Sequence, residues 1–518
     1  MVVPASAQRD TLYLAQSEFG DSLSCDYLAQ GIFLIWWDNR NDLSQEAAVL
    51  LDSMAVYRGT CLNSLNFQDP PNPQNSFYFN VYLHESGDVF PEAWGCGVGT
   101  DSYGYPYMTL PIGILNDWIT ISHESFHVFQ YSSDAPGFSQ NDCFWYIEGS
   151  ASWFAAITYP EDENTFVEAE SLVRVPHIPM WLGYDNFPSY YPENWQRYVH
   201  QYAMALFLFY LTEVNGVPDS LICGGFYNAE SPQELLPQEY LYAGLGAVEM
   251  RNCFIDWAAH MTNDFDFILP SQRAMAEVHW NTYADPNDDN EFTKIFDDSS
   301  FGECFRPADS VATTAWSFNT YKVPGANIDL YTFHLLGDVA GSLGDPAYFQ
   351  GKILVKNSLF GGRFYDLDMQ NDTAGSLTIE VTAADTAIYF IVASMPEIFA
   401  GVDQVFQYII NIEKGGTSVG SSVEQPEILH LERSTPNPFS ATTTIKYGIP
   451  ATGPVRLTVY DLQGRLIITL LNEELPAGYH ETEWDGRDAS GMYLPGGVYF
   501  SRLESSGQVT HGMMTILR

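Results

Sequence analysis

The chain has 518 residues, which is too long for one hydrophobic core and predicts about three domains. Hydrophobic residues make up 46% and aromatic residues 15% of the chain, which is typical of a globular protein and excludes a disordered one. There are 21 Lys and Arg residues against 65 Asp and Glu residues, a formal net charge of -44, so nucleic acid and anionic membrane surfaces would repel the protein.

The first predicted domain covers residues 1–303, where strand-like and helix-like segments alternate and favour an α/β or α+β fold. Residues 1–7 end in a small-x-small pattern, which fits either the end of a signal peptide or a short disordered start. Residues 76–83 alternate apolar side chains like a half-buried strand, and residues 116–131 and 145–157 have the periodicity of helices.

Two β-rich regions complete the predicted architecture. The pattern of residues 304–413 predicts a β-sandwich or jelly roll, and residues 429–518 are predicted to form a small immunoglobulin-like all-β domain. Between them, residues 414–428 are rich in Gly and Ser and are interpreted as a linker. The predicted strands are 330–335, 352–355, 376–381, 387–392 and 405–412 in the first region, and 443–447, 455–460, 466–471, 481–484 and 498–503 in the second. The fold class is therefore multidomain.

Cysteine spacing, apolar runs and acidic loops narrow the other possibilities. The seven cysteines lie far apart without a C-x-x-C pair, which excludes a zinc ribbon and predicts one or more disulfides with at least one unpaired thiol. The longest apolar run, residues 203–211, is shorter than the ~18 residues of a membrane helix, so no transmembrane segment is expected. The acidic residues 285–291 could bind Ca²⁺, but they lack the full calcium-loop pattern, which favours a solvated loop.

A metal-binding pattern lies within the first predicted helix. His123 and His127 are four residues apart, so they project from one face and can hold one metal ion between them. Glu124, about 100° around the helix, can reach a metal-bound water. In this H-E-x-x-H arrangement neutral imidazoles bind zinc and the carboxylate is the general base.

Glu148 is the candidate for the third zinc ligand. It stands in W-Y-I-E-G-S-A-S-W, with twenty residues between it and His127. Ala151, Ser152 and Ala155 share its helix face, and their small size allows a close approach to the first helix. The alternative is a carboxylate that only interacts with the helix macrodipole. Apolar neighbours favour the ligand, because an unpaired buried carboxylate is costly.

With these residues the sequence resembles the gluzincin metallopeptidases, in which H-E-x-x-H is followed by a glutamate ligand on the next helix. The aminopeptidase-N-like branch has a W-x-x-E-G-x-A motif, which is matched here by Trp145, Glu148, Gly149 and Ala151. The two motifs together also resemble those of a group of secreted bacterial metalloproteases. The resemblance covers roughly residues 75–215 and implies a zincin-like domain with one catalytic zinc. The loop between the second His and the Glu is slightly longer than in the aminopeptidases, and a G-x-M-E-N segment is missing, so we expect an endopeptidase.

The same resemblance suggests two further features of the site. Residues 198–211 are similar to the helix on which these enzymes carry a tyrosine that stabilises the oxyanion. Tyr202 fits that position best, and His200 and Tyr198 are the alternatives. A tyrosine that only packs in an apolar helix is a further possibility. Residues 105–111 stand where these enzymes place an edge strand that pairs with the substrate backbone. The remaining histidines that we considered, His84, His177, His260 and His279, have no motif partner and are interpreted as structural or surface residues.

The C-terminal segment carries a second resemblance. P-N-P-F at 436–439 is followed by T-T-T-I-K-Y, V-Y-D-L-Q-G-R, G-G-V-Y-F and M-M-T-I-L-R, a succession similar to the type A C-terminal sorting domain of the type IX secretion system. Asn437, Asp485 and Gly486 are the expected turn residues, and the expected core residues are Val459, Tyr460, Val498, Tyr499 and Phe500. A generic immunoglobulin-like module is the alternative.

Together these patterns predict a zinc metallopeptidase that acts on protein or peptide substrates. The sorting-domain resemblance implies the type IX secretion machinery as a partner and a secreted or cell-surface location beyond the outer membrane. The alternative is a catalytically silent secreted or surface binding protein that uses its β domains. The set of His123, Glu124, His127 and Glu148 favours the enzyme.

Overall fold

The N-terminal part of the computed structural model is a mixed five-stranded sheet covered by helices. Its strands and helices are β1 (Cys25–Gln30), β2 (Phe33–Asp38), α1 (Ser44–Asn63), β3 (Phe79–His84), β4 (Gly97–Thr100), β5 (Pro106–Pro111), α2 (Trp118–Tyr131) and α3 (Phe144–Thr158). The strand order is β1-β2-β3-β5-β4, in which β3 is parallel to β2 and β5, whereas β1 and β4 run antiparallel to their neighbours. Helices packed on a mixed sheet agree with the predicted α/β or α+β layout.

Some segments of the chain are not described. The structure describes residues 25–38, 41–69, 79–84, 96–100, 106–133, 143–169, 172, 176–182, 195–227, 237–283, 295–296, 304–309, 312–324, 328–357, 361–397, 404–415, 429–431, 434, 437, 439, 441–461, 465–476, 478–505 and 508–516. The predicted signal-peptide remnant at 1–7, the acidic segment 285–291 and the linker beyond Gly415 lie outside these residues.

The edge of the sheet differs from the prediction. Strand β5, which contains most of the predicted edge segment 105–111, lies between β3 and β4, so β4 is the edge strand. The two prolines do not confine β5 to the edge, as was predicted, because Pro106 and Pro111 are its first and last residues. At the ends of a strand a missing N–H removes little of the hydrogen-bond ladder.

A helical region follows α3. It comprises α4 (Trp195–Ala203), α5 (Ala205–Phe209), a π-helical turn (Tyr210–Val214), α6 (Asp219–Tyr227), α7 (Pro237–Leu245), α8 (Ala247–Thr262) and α9 (Pro270–Tyr283). The predicted helix 198–211 is therefore interrupted at Met204 and ends in the π-helical turn. Helix α4, which carries Tyr202, packs against α3.

Two further sheets follow the helices. Their strands are β6 (Ile295–Phe296), β7 (Ser317–Lys322), β8 (Asp329–Gly337), β9 (Phe349–Asn357), β10 (Gly361–Asp366), β11 (Asp368–Asn371), β12 (Ala374–Val381), β13 (Asp385–Ser394) and β14 (Tyr408–Lys414). One sheet has the order β10-β9-β13-β7-β6 and the other β11-β12-β8-β14. The rings of Phe333 and Phe390, one from each sheet, lie 5.4 Å apart, so the sheets pack face to face.

The helical region and these sheets share one hydrophobic core. Phe254 on α8 contacts Trp316 with ring centroids 5.6 Å apart, and Trp257 contacts Phe318 on β7 at 6.0 Å. Lys352 on β9 forms an ion pair with Asp256 on α8. Residues 1–416 accordingly form one compact unit and residues 417–518 a second one. The predicted domains 1–303 and 304–413 both lie within the first unit.

The second unit consists of two small sheets. Its strands are β15 (His430–Leu431), β16 (Thr443–Ile449), β17 (Gly453–Asp461), β18 (Leu466–Leu475), β19 (Gly478–Trp484), β20 (Gly497–Ser505) and β21 (Gln508–Ile516), in the orders β15-β16-β19 and β18-β17-β20-β21. All five predicted strands of this unit are present. The Oδ1 atom of Asp485 accepts a hydrogen bond from Arg487 N at 3.2 Å, and Gly486 has a φ of 69°, which agrees with the turn roles expected of these two residues. Asn437 instead makes a long-range contact, in which its Oδ1 atom accepts a hydrogen bond from Thr515 N at 2.7 Å.

The core of the second unit differs in part from the expected set. Val459 and Tyr499 are buried, whereas Tyr460 and Val498 are only half-buried and Phe500 is exposed. Successive side chains of a strand point to opposite faces, so neighbours of a buried residue face away from the core. The core is instead completed by Trp484, whose ring lies 5.5 Å from that of Phe439 and 5.7 Å from that of Tyr499.

The cysteines whose side chains the structure describes do not form the expected disulfides. Six of the seven are free thiols: Cys61, Cys96, Cys143, Cys223, Cys253 and Cys304. Burial raises the pKa of the Cys61 thiol and raises that of Cys253 to about 11, so these side chains stay protonated and behave as small apolar core residues. Among the described residues, no helix is long and apolar enough to cross a membrane.

Candidate metal centre

Helix α2 presents both histidines of the H-E-x-x-H motif on one face. The Asp117 carboxylate accepts a hydrogen bond from Thr120 N at 3.1 Å and so caps the start of the helix. His123 and His127 are buried one turn apart, with ring centroids 4.6 Å from each other. Their Nε2 atoms lie 2.9 Å apart, so both imidazoles can serve one ion.

Glu148 on α3 completes the cluster. Its Oε2 atom lies 3.1 Å from Nε2 of His123 and 3.1 Å from Nε2 of His127. Two ligands at 2.0–2.1 Å from a tetrahedral zinc ion are separated by about 3.3 Å, so the three atoms would need to move apart by only a few tenths of an ångström. Among the described residues this is the one group of three His, Cys, Asp or Glu side chains close enough to hold a metal ion.

Each histidine has a partner at its other ring nitrogen. Nδ1 of His123 lies 3.0 Å from Ser152 Oγ, and Nδ1 of His127 lies 2.6 Å from Gln130 Oε1. Nε2 is thus directed into the cluster in both rings, as metal-binding histidines require. The donor set of two imidazole nitrogens and one carboxylate oxygen, with both Nδ1 atoms engaged elsewhere, fits a zinc ion.

The charges of His127 and Glu148 shift each other's pKa in opposite directions. Burial lowers the pKa of His127, but the neighbouring Glu148 and Glu124 carboxylates have the larger combined effect and raise the pKa to about 9. Burial raises the pKa of Glu148, yet His127 and His123 outweigh that effect and hold it well below its ordinary value. Glu148 is therefore an anion, which is the form that binds a cation.

Glu124 lies beside the cluster on the same helix. Burial raises the pKa of its carboxyl group, His127 and His123 lower it, and Glu148 raises it, with a net upward shift. A carboxyl group with a raised pKa is suited to accept and return a proton near neutral pH. The Cys96 thiol, which precedes the edge strand β4, is close enough to Glu124 for the carboxylate charge to raise its pKa in addition to burial.

The three candidates for the oxyanion residue have different positions. The Tyr202 ring lies 5.7 Å from the His123 ring, centroid to centroid. His200 is fully buried with its Nε2 atom 3.2 Å from Pro179 O, and burial lowers its pKa to about 4. The side chain of Tyr198 lies outside the described part of the chain. Of these three candidates, Tyr202 is the one whose described side chain lies next to a histidine of the cluster.

A glycine sets the distance between α3 and the helix of Tyr202. A methyl group at Gly149 would lie 2.9 Å from Met204 Cβ, which is closer than packed atoms allow, and would also touch Gln201 O at 3.4 Å. Only glycine lets the two helices approach this closely. Gly149, next to Glu148, thus helps to position Tyr202 against the cluster.

Sequence reasoning missed three residues near the site. Gln130 was not considered, and Ser152 was considered only for its small size. Gln130 stands three residues after His127 on a helix, so the i, i+3 spacing could have indicated the contact. Tyr131, whose ring lies 6.1 Å from the His127 ring, was also missed; burial and the charges of Glu148 and Glu124 raise its pKa to about 12.

Comparisons with known proteins bear on the C-terminal unit. A family model for the FlgD Ig-like domain matches residues 439–508. The basal-body rod modification protein FlgD of Salmonella typhimurium is 33% identical over 86 residues, and so is that of Salmonella typhi; the match covers 16% of this chain and 37% of each relative. The chain thus spans little more than a third of the length of these curated relatives. The C-terminal unit is an Ig-like domain.

Solved structures with some similarity include two proteins of Porphyromonas gingivalis. PorZ, a surface component of the type IX secretion system, is 19% identical, with 21% of this chain and 14% of that chain covered and a TM-score of 0.14. Dimeric latent PorU is 13% identical, with 42% of this chain and 20% of that chain covered and a TM-score of 0.17.

Proposed function

We propose that the chain is an exported zinc metallopeptidase that cleaves within protein or peptide substrates. The observation that carries the proposal is the convergence of His123 Nε2, His127 Nε2 and Glu148 Oε2 within 3.1 Å. Buried polar groups are costly without partners, so a buried cluster of this kind is well explained by a shared cation. The resemblance to gluzincins, taken with this geometry, assigns the three residues as zinc ligands.

The surrounding side chains supply the acid and base chemistry of hydrolysis. A zinc ion bound by these ligands would polarise the scissile carbonyl and make water a nucleophile near neutral pH. The Glu124 carboxylate accepts the proton of the attacking water and then delivers it to the leaving amine. Its raised pKa makes both transfers accessible near neutral pH.

Tyr202 is the proposed oxyanion residue. Its ring packs beside His123, so its hydroxyl group can donate a hydrogen bond to a carbonyl oxygen bound at the cluster. The buried His200, with its lowered pKa and its contact with Pro179 O, is a structural residue in this proposal.

The edge strand β4 offers a backbone to an extended substrate. Of the strands that the structure describes, only β5 pairs with it, and it packs against the ligand helix α2. A substrate strand can pair with the backbone of β4 at this edge, which suits cleavage within a chain.

The Ig-like C-terminal domain is the proposed export signal. Its resemblance to type A sorting domains assigns the type IX secretion machinery as its partner. The protein would then be secreted or displayed at the cell surface, where a strongly acidic chain with net charge -44 stays soluble.

A protein-digest cleavage assay tests the proposed activity. Zinc-loaded wild type is compared with Glu124→Gln, which should keep the zinc and lose most hydrolysis, and with His260→Ala as a matched control. His260 pairs with Asp266 away from the cluster, so this variant should cleave like wild type. Equal cleavage by wild type and Glu124→Gln would refute the catalytic assignment. No cleavage by zinc-loaded wild type over many proteins would favour the silent binding protein.

A further inference from the structure

The Gln130 side chain links His127 to the second ligand helix. Its Oε1 atom lies 2.6 Å from His127 Nδ1, and its Nε2 atom donates hydrogen bonds to Ile147 O at 3.0 Å and to Ser150 Oγ at 2.8 Å. Gln130 is fully buried, as is Ser150. A single amide thus spans from helix α2, which carries both histidines, to helix α3, which carries Glu148.

The partners of Gln130 determine which way its amide points. Ile147 O is a carbonyl and can only accept, so the amide nitrogen must face α3. Ser150 uses its own proton to donate to Tyr146 O at 2.5 Å, and its oxygen is left to accept from Gln130 Nε2. The amide oxygen therefore faces His127.

The orientation of the amide in turn determines the state of the His127 ring. An amide oxygen is only an acceptor, so His127 Nδ1 must carry a proton and donate it. In the neutral ring the lone pair then lies on Nε2, the atom 3.1 Å from Glu148 Oε2. Ser152, the partner of His123 Nδ1, is a hydroxyl that can donate or accept and imposes no such choice.

From this chain of contacts we infer that Gln130 is a positioning residue for the metal site. It holds His127 in the tautomer and ring orientation that direct Nε2 toward the ion, and it ties that orientation to the helix of Glu148. The inference rests on the proposed function, because it assigns Gln130 a role toward the zinc ion. A neutral amide here takes the place that a carboxylate or backbone carbonyl often has beside a zinc-bound histidine.

Zinc affinity and the Nδ1 proton of His127 test the inference on the full chain. Affinity is measured by competition with a chelator, and the proton is followed by NMR after ¹⁵N labelling of the 11 histidines, with His127→Gln to assign the signal. In wild type, with and without zinc, we expect a slowly exchanging Nδ1 proton. Gln130→Met should lose that signal and bind zinc ~10- to 100-fold more weakly. Gln130→Glu keeps the acceptor for His127 Nδ1 but loses the donor to Ile147 O, so it should recover the Nδ1 signal and only part of the affinity.

Gln272→Met is the matched control for loss of a buried amide. Gln272 is equally buried; it donates to Pro160 O and Asp162 O and accepts from Leu269 N, and no histidine is among these three partners. A purely structural role for Gln130 predicts equal losses of Tm and unchanged zinc affinity in both Met variants, and this result would overturn the inference.

Two further outcomes separate the inference from the proposed function. If wild type takes up no zinc, the proposed function fails together with the inference. If wild type binds zinc but shows no Nδ1 proton on His127, only the inference fails. This measurement uses wild type alone, so it decides the matter even when Gln130→Met does not fold. Wild-type affinity in Gln130→Met would also overturn the inference alone.

Discussion

The Oε2 atom of Glu148 lies 3.1 Å from Nε2 of His127, and both side chains are largely buried between helices α2 and α3. The contact joins two helices that are separated in sequence, and it pairs the charge of a carboxylate with an imidazole. Each of the two residues depends on the other, because an unpaired charge at this position would be costly.

Replacement of Glu148 by Gln should therefore remove the metal. The amide has the size of the carboxylate but lacks its charge, so we expect zinc content after dialysis to fall from one ion per chain toward none. Elemental analysis measures the content. Glu413→Gln changes an exposed carboxylate and should keep the full zinc content. Full zinc in Glu148→Gln would contradict the ligand assignment.

Replacement of Tyr202 by Phe should slow catalysis and leave zinc content unchanged. Loss of one oxyanion donor lowers kcat by up to about 10²- to 10³-fold, with KM nearly constant, because the hydrogen bond strengthens in the transition state. Steady-state kinetics on a cleaved peptide measure both values. Tyr131→Phe removes a second tyrosine hydroxyl near the cluster, and a larger loss in that variant would transfer the role to Tyr131.

Replacement of Gly149 by Ala should disturb the position of Tyr202. The added methyl group would meet Met204 Cβ at 2.9 Å, and overpacking of this kind destabilises by about 1–3 kcal/mol. We expect a lower Tm and a lower kcat with zinc retained. Gly113→Ala is the matched control, since a methyl group there meets no atom within 4 Å. Wild-type Tm and kcat in Gly149→Ala would show that α3 and α4 can move apart freely.

Asp385 should stabilise the first unit at neutral pH and less so in acid. Its buried carboxylate accepts hydrogen bonds from Thr382 N at 2.7 Å, Asn357 Nδ2 at 2.7 Å and Arg363 at 2.8 Å. Burial raises the pKa of Asp385, but these hydrogen bonds and the Arg363 charge outweigh burial and lower it. A group with a lowered folded-state pKa contributes stability above its unfolded pKa and loses it as pH falls through the folded value.

Asp385→Asn should accordingly reduce the free energy of unfolding by about 1–3 kcal/mol at pH 7, because the charge is lost and the amide nitrogen that replaces one carboxylate oxygen cannot accept a hydrogen bond. Denaturant melts of wild type and variant should converge as the pH falls below about 4. Asp338→Asn, at an exposed ion pair with Arg306, should change stability by less than about 0.5 kcal/mol. A difference that stays constant down to pH 3 would refute the electrostatic origin.

The C-terminal domain should be sufficient for export. It forms a compact unit with its own hydrophobic core, so a fusion of residues 429–518 to a reporter should fold. In a host with a type IX secretion system, we expect the fusion in the medium or at the cell surface and the unfused reporter in the periplasm. Equal periplasmic retention of both would show that this Ig-like domain is not a sorting signal.

Local spacing by itself determined the helices of the candidate site and the residues they bring together. The i, i+4 spacing of His123 and His127 places both on one face of α2 whatever surrounds it, and the small residues around Glu148 favour a close approach of α3. The strands of the C-terminal domain follow from alternation in the same way. Each of these patterns is a property of a few consecutive residues.

Only the tertiary structure decided which strand is the edge, which nitrogen of His127 faces Glu148, and whether the cysteines pair. Strand β4 lies outside β5 in the sheet because the two strands pair with each other. The His127 ring is oriented by Gln130, which is itself held by Ile147 on another helix. Such contacts join residues distant in sequence, and their free energy depends on burial and on partners that no local pattern contains.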